Sequence, residues 1–186
     1  TKDWLAWGRA WCHKSVLERR KGIASRLRDF EAEGTLTICN DDLDDISDIV
    51  EIAQDVKARG KLASVAADPS GLGAFVDALA EVGITPENGL VIGAPQGGFL
   101  MNAIKTAERK LVNGTLWHDG SALMAWCVGN AKVVPVGNAI NITKQASGTG
   151  KIDPLMATFN AADLMGRNPQ ALGNVGDFLA SPVIGA

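Results

Sequence analysis

The sequence lacks the apolar run of about 18 residues or more that a membrane-spanning helix needs. Its N-terminus also lacks the basic-then-apolar order of a signal peptide. Cysteine is scarce, since Cys12, Cys39 and Cys127 lie far apart and form no CxxC pair. These absences argue against a membrane anchor, a disulfide framework and a zinc site. We therefore expect a cytoplasmic protein with buried, reduced thiols and no membrane association.

Excess positive charge is also missing. The net charge is −3, with 11 basic and 16 acidic side chains in residues 1–93 against 7 basic and 5 acidic in residues 94–186. Only the second half offers a surface for a polyanion, and it is a weak one. We expect the chain alone to bind nucleic acid weakly.

The 186 residues suit one α/β domain in which strands and helices alternate. The Trp-rich start, Trp4 to Trp11, predicts one strand with no earlier strand to pair with. Apolar spacing predicts a single helix over residues 15–33. Further strands are predicted over 35–39, 62–67, 90–93 and 115–118, with helices after each of them and a last helix over 152–165. A hairpin over 132–143 turns at Gly137 and Asn138. Alternation of this kind is typical of crossovers over a parallel sheet.

Two acids stand where a strand or loop meets a helix. Asp68 follows the small, apolar run Leu62–Ala67, and Asp153 opens the last helix; Pro follows each of them. The simpler interpretation is that both are N-caps, because Asp before Pro is favoured there. The alternative is a site for a hard divalent metal, which prefers carboxylates, at the edge of the sheet.

Other patterns that suggest ligands fail in detail. The acids between Asp41 and Asp48 do not follow the calcium-loop order, and a helix start explains them better. Ser147–Lys151 resembles the end of a phosphate-binding loop, but Gln145 and Ile152 stand where Gly and Ser or Thr are required. Nucleotide binding is therefore only a weak alternative for this chain.

A series of short motifs resembles the nuclease domain of tailed-bacteriophage large terminases. The matches run in order from about residue 7 to residue 165. They are Trp11, Phe30–Leu36 (FEAEGTL), Ala67–Gly71 (ADPSG), Gln96-Gly97 with Leu100–Asn102, Gly114–His118 (GTLWH), Met124–Asn130 (MAWCVGN), and Lys144 ahead of Lys151–Asp153 (KID).

This resemblance implies a ribonuclease-H-like mixed sheet flanked by helices, over residues 1–165, with residues 166–186 as a C-terminal tail. It also implies an endonuclease that cuts concatemeric DNA with Mg²⁺ or Mn²⁺, two ions held by acids. Asp68 and Asp153 are the positions that match the family's metal-binding acids. The family's first acid lies on an opening strand ahead of the Trp-rich strand, and we expect that strand to precede Thr1.

The resemblance also implies partners and accessory residues. The partners are double-stranded DNA, the ATPase domain, the small terminase subunit and the portal, in the host cytoplasm. Lys144 and Lys151 are candidates to hold phosphate, His118 to orient water or touch DNA, and Asn160 to support Asp153 from two helical turns away. Simpler interpretations are solvated lysines, a structural histidine and an asparagine on a polar face. A catalytically incomplete docking module of the packaging motor stays an alternative.

Overall fold

The computed structural model describes residues 3–41, 44–68, 73–144 and 150–171. Its strands are β1 (Trp4–Ala6), β2 (Ala10–His13), β3 (Leu36–Cys39), β4 (Val65–Ala67), β5 (Val91–Gly93), β6 (Leu116–His118), β7 (Ala131–Val136) and β8 (Ala139–Lys144). Its helices are α1 (Ser15–Arg19), α2 (Lys21–Ala32), α3 (Asp44–Ala58), α4 (Gly73–Glu81), α5 (Met101–Val112, after a 3-10 turn over Gly97–Leu100), α6 (Ala122–Asn130) and α7 (Asp153–Gly166). The expected mixed α/β fold is confirmed.

The described strands associate in pairs. Three pairs are parallel, β1 with β6, β2 with β3 and β4 with β5, as the alternation of strands and helices predicts. The fourth is the expected antiparallel hairpin of β7 and β8. Gly137 has a φ of 58° at its turn, which the tight hairpin turns require and which glycine adopts without strain.

The prediction of one Trp-rich strand is wrong. Residues 7–9 separate β1 from β2, and the two strands pair with different partners. The backbone N–H of Gly8 donates to Asp119 Oδ2 at 3.3 Å, which draws the chain out of strand geometry. β1 also has a partner, because Trp4 lies opposite Leu116 of β6.

The predicted single helix over residues 15–33 is also wrong, because it breaks at Arg20. That residue has φ −126° and ψ 54°, outside the helical region. Ile23, Leu27 and Phe30 of α2 keep the expected apolar spacing and are buried. Gly22, a poor helix former, comes two residues after the break and is the residue in the sequence that could have indicated it.

Helix α7 joins the parts of the core. It packs against α5, α6 and β4. Leu155 near its start belongs to a cluster with Leu27, Leu123 and Cys127, while Ala162 belongs to a second cluster around α5. Because α7 is fixed on several sides, its first residue, Asp153, has a defined place in the fold.

No helix in the described part of the chain is both long enough and apolar enough to span a membrane. Of the predicted tail, residues 172–186 lie outside the described residues.

Candidate functional site

Asp153 is the first residue of α7, as predicted, but it is not the N-cap. Ile152 occupies the cap position, and no side chain caps the helix there. The Asp153 side chain is 68% exposed, and its Oδ2 lies 3.9 Å from Lys151 Nζ. A negative charge in the first turn is favoured by the helix dipole. The carboxylate therefore belongs to the helix start without being used to cap it.

Asp68 directly follows β4 and is exposed. Residues 69–72, which separate Asp68 from Gly73 at the described start of α4, lie outside the described residues. The N-cap interpretation is thus wrong for Asp153 and stays a prediction for Asp68.

Helix α7 and strand β4 pack against each other, which brings the elements that carry Asp153 and Asp68 together. The convergence of the two carboxylates within metal-bridging distance stays a prediction. Within residues 3–41, 44–68, 73–144 and 150–171, no three His, Cys, Asp or Glu side chains come close enough to hold a metal ion.

A groove opens beside Asp153 that the sequence did not reveal. We call it the Asp153 groove; β2, α1, α2, α6 and the start of α7 line it, and its volume is about 880 Å³. Its charged lining residues are Arg19, Arg20, Asp45, Lys151 and Asp153. Asp68 is not among the residues that line it.

Cys127 lies in the floor of the Asp153 groove and is completely buried. Burial, reinforced by the negative charge of Asp153, raises the pKa of this thiol to about 11. The thiol is therefore protonated at neutral pH and is a poor nucleophile. The predicted role of a buried, reduced cysteine fits this environment.

Asn130 and Gly150 form a contact that positions the chain entering α7. Asn130 Nδ2 donates to the carbonyl oxygen of Lys151 at 3.2 Å. A Cβ atom on Gly150 would lie 2.5 Å from Asn130 Cγ, so a larger residue there would have to displace the Asn130 side chain. Sequence reasoning quoted Asn130 within a motif but gave it no role; the glycine in a polar loop was the only local signal.

His118 and Lys144 are exposed at strand ends. His118 ends β6, and its Nδ1 accepts a hydrogen bond from the N–H of Gly120 at 3.1 Å. Lys144 ends β8 and is followed by residues 145–149, which lie outside the described residues. Of the Ser147–Lys151 segment, the structure describes only Gly150 and Lys151. Neither side chain lines the Asp153 groove, and their proposed roles stay predictions.

Asp119, beside His118, was missed by sequence reasoning. Burial alone would raise its pKa, but hydrogen bonds from Ser121 and Gly8 and the nearby His118 lower it below the ordinary value. Its two carboxylate oxygens accept from the N–H groups of Gly8 and Ser121 at 3.3 and 3.1 Å. Asp119 thus ties the segment after β1 to the start of α6.

Asn160 is buried on α7, with 9% of its surface exposed, and is not on a polar face. Within the described part of the chain, its Oδ1 has no hydrogen-bond partner. A buried acceptor without a partner costs roughly 1–3 kcal/mol, so its retention requires a reason.

Acids in the first turns of α3 form contacts within the fold. Asp44 Oδ2 accepts from the backbone N–H groups of Asn40 and Asp41 at 3.3 and 3.0 Å. Asp48 instead accepts from Trp11 Nε1 at 2.9 Å, which links α3 to β2. These contacts give the acids structural roles.

Comparison with known proteins gives the chain a family. Residues 19–167 match the family model described as "Terminase large subunit, endonuclease domain". The structure is similar to the crystal structure of the HK97 bacteriophage large terminase, with a TM-score of 0.65 and 25% sequence identity. That match covers 83% of this chain and 32% of the HK97 chain, so the chain spans about a third of that protein's length. Comparison with curated proteins finds no match. Since the family model covers well over half of the sequence, the chain belongs to the family of terminase large subunit endonuclease domains.

Proposed function

We propose that the chain is a metal-dependent endonuclease domain that cuts concatemeric DNA during packaging of a phage genome. The observation that carries the proposal is the position of Asp153, exposed at the start of α7 and beside the cationic side chains of the Asp153 groove. Family membership supports the reaction class. In this proposal residues 1–165 form the ribonuclease-H-like nuclease domain and residues 166–186 the tail.

The donor set fits Mg²⁺ or Mn²⁺ in kind. Asp68 and Asp153 supply exposed carboxylates, and such ions are commonly held by one or two carboxylates with waters and substrate phosphates completing the shell. The two acids therefore suffice once DNA is bound, although the described residues offer no group of three ligands. When bound, the metal ions supply an activated water and stabilise charge on the phosphate.

The protein's own residues orient the substrate in this proposal. Lys151 lies beside Asp153 and holds a phosphate oxygen, with Lys144 as a second cation. His118, exposed at the end of β6, orients water or contacts DNA. Asn160 supports α7 from within. The proposed partners are double-stranded DNA, the terminase ATPase domain, the small subunit and the portal, in the host cytoplasm.

Plasmid nicking with Mn²⁺ tests the proposal. We expect Asp68→Asn and Asp153→Asn to reduce nicking strongly, because each removes a metal ligand. Asp163→Asn, on the same helix but paired with Arg167, is the matched control and should cut normally. Nicking by all three variants at the rate of the unaltered protein would show that the site assignment is wrong.

A second candidate is a docking module of the packaging motor that does not cut DNA. The observation that favours it is that no three possible metal ligands come together among the described residues. The nicking assay is therefore run on the chain and on a form extended at its N-terminus by the strand that the resemblance expects. If neither form cuts while both bind DNA or the ATPase domain, the docking module is the better description.

A further inference from the structure

The lining of the Asp153 groove has more cationic than acidic side chains. Arg19, Arg20 and Lys151 line the groove together with Asp153. Asp45 is the remaining acid of the lining. Three cations against two acids make the groove locally basic in a chain whose net charge is −3. A local reversal of charge of this kind attracts anions.

The floor of the groove offers little to an apolar ligand. Leu27, Leu123 and Cys127 line it but are only 5%, 4% and 0% exposed, because they pack into the core cluster around α2 and α6. Binding sites for small apolar molecules present accessible hydrophobic walls. Trp11, Val16 and Trp126 are half-buried and also line the groove, so a ligand meets these apolar groups as well as the charged rim.

The break in the first helix brings two consecutive arginines to the same groove. In a continuous α-helix neighbouring side chains point about 100° apart, so Arg19 and Arg20 would diverge. The non-helical backbone at Arg20, with φ −126° and ψ 54°, removes that constraint, and both residues line the groove. Departures from local sequence preference are expected at functional sites.

Arg19 is held in place before any ligand arrives. Its Nη2 donates to Ser15 Oγ at 3.0 Å and its Nε to the Ser15 carbonyl oxygen at 3.4 Å. Ser15 Oγ is in turn 2.8 Å from His13 Nδ1, a second residue that lines the groove. Side chains that are already ordered lose less entropy when they bind.

We propose that Arg19 and Arg20, which line the Asp153 groove, bind phosphates of the DNA backbone and so position the strand to be cut. The inference rests on the proposed function and adds its substrate-positioning residues. A polyphosphate backbone fits better than a single small anion, because the groove measures about 880 Å³ and its cations come from two separate segments, the break in the first helix and the chain entering α7. Arginine is suited to the role, since its planar guanidinium matches phosphate oxygens in pairs.

The test measures DNA binding without cutting. A fluorescently labelled DNA duplex is titrated with the chain in EDTA, over a series of salt concentrations, by fluorescence anisotropy. Arg19→Gln/Arg20→Gln should weaken binding and lower the slope of log affinity against log salt by about 1.8, the value for two lost phosphate contacts. The loss should be the same for duplexes of different sequence.

The matched control is Arg28→Gln/Arg59→Gln. It removes the same charge from exposed arginines that pair with Glu31 and Asp55 and do not line the groove. We expect its salt slope to equal that of the unaltered chain. An equal loss in both double variants would reduce the effect to net charge and overturn the proposal, as would a lack of measurable binding by the unaltered chain at low salt.

Two further measurements separate this proposal from its alternatives. Inorganic phosphate at the ionic strength of the assay should displace the duplex no better than chloride; specific displacement would assign the groove to a small anion. Asp153→Asn should bind the duplex in EDTA at least as well as the unaltered chain, because it removes a repelling charge. If Asp153→Asn abolishes nicking while Arg19→Gln/Arg20→Gln binds DNA like the unaltered chain, this inference is overturned and the proposed nuclease function stands. If Asp153→Asn nicks normally while the double arginine variant binds DNA more weakly, the nuclease function alone is overturned.

Discussion

Asp68 and Asp153 share the dipeptide Asp-Pro but are set in different surroundings. Asp153 opens a 14-residue helix that packs against α5, α6 and β4. Asp68 follows the three-residue strand β4 and stands five positions before α4. The Asp of this dipeptide thus begins a packed helix in one case and directly follows a short strand in the other, so the local sequence alone does not define either acid's role.

The surroundings of Asp153 are built to hold it. Asn130 bonds to the carbonyl oxygen of Lys151, Gly150 allows the close approach, and the cations of the Asp153 groove lie alongside. The corresponding residues after Asp68, 69–72, lie outside the described residues. In the proposed site, Asp153 is therefore the ligand whose surroundings the structure describes on both sides.

The largest expected effect comes from neutralising both acids. Asp68→Asn and Asp153→Asn should each lower Mn²⁺-dependent nicking about a hundredfold or more, equivalent to about 3 kcal/mol of transition-state stabilisation. If both hold the same metal centre, the double variant should cut no slower than the slower single variant. Multiplied effects in the double variant would show that the acids act independently.

Gly150→Ala tests the support of Asp153. The added Cβ would lie 2.5 Å from Asn130 Cγ, so we expect the free energy of unfolding to fall by about 1–3 kcal/mol, as in other overpacked sites. Gly22→Ala, where a Cβ meets no atom within 4 Å, is the control and should be neutral or stabilising. Urea denaturation measures both. A neutral Gly150→Ala would mean that the contact with Asn130 does not constrain the loop.

Features set by local sequence were predicted well. The helices from α3 onward and the hairpin follow from apolar spacing and turn residues, which act over a few positions. The division of the Trp-rich segment was not predictable in this way, because it depends on Asp119, 111 positions from Gly8.

The same limit applies to the candidate site. Composition and motifs identified Asp153 at a helix start, and its place is confirmed. The Asp153 groove was not predicted, because Arg19 and Arg20 reach it only through the break in the first helix and through the packing of α6 and α7. Tertiary contacts of this kind leave no periodic signal in the sequence.

Asn160→Leu tests whether the buried Asn160 of α7 is retained for function. Replacing the buried Oδ1, which lacks a partner among the described residues, with an apolar group should raise the free energy of unfolding by about 1 kcal/mol. Nicking should fall at the same time if Asn160 supports Asp153. Asn102→Leu, at an exposed position of α5, is the control for both measurements. Lower stability with unchanged nicking would contradict both expectations.

Alkaline pH should weaken the fold on the Asp153 side. Burial raises the pKa of Cys127 from 9.0 to about 11, and burial also raises the pKa values of Cys12 and Cys39. The folded state then keeps protons that the unfolded state loses, so this stability is complete below pH 9 and is lost as the pH rises toward 11. Urea denaturation at several pH values should show a shallower decline for Cys127→Ala. An unchanged decline would assign the pH dependence to other groups.

The smallest effect on stability is expected for Lys151→Gln, which breaks the pair with Asp153. The two groups are 3.9 Å apart with exposed fractions of 36% and 68%, and such pairs contribute about 0.5 kcal/mol or less. Arg59→Gln, which breaks an exposed pair with Asp55, should change stability equally little. Nicking separates the two variants, because only Lys151 lies beside the proposed metal ligand and only its loss should slow cutting. Equal nicking by both would make Lys151 a solvated lysine, and the cationic lining of the groove would then act through its arginines alone.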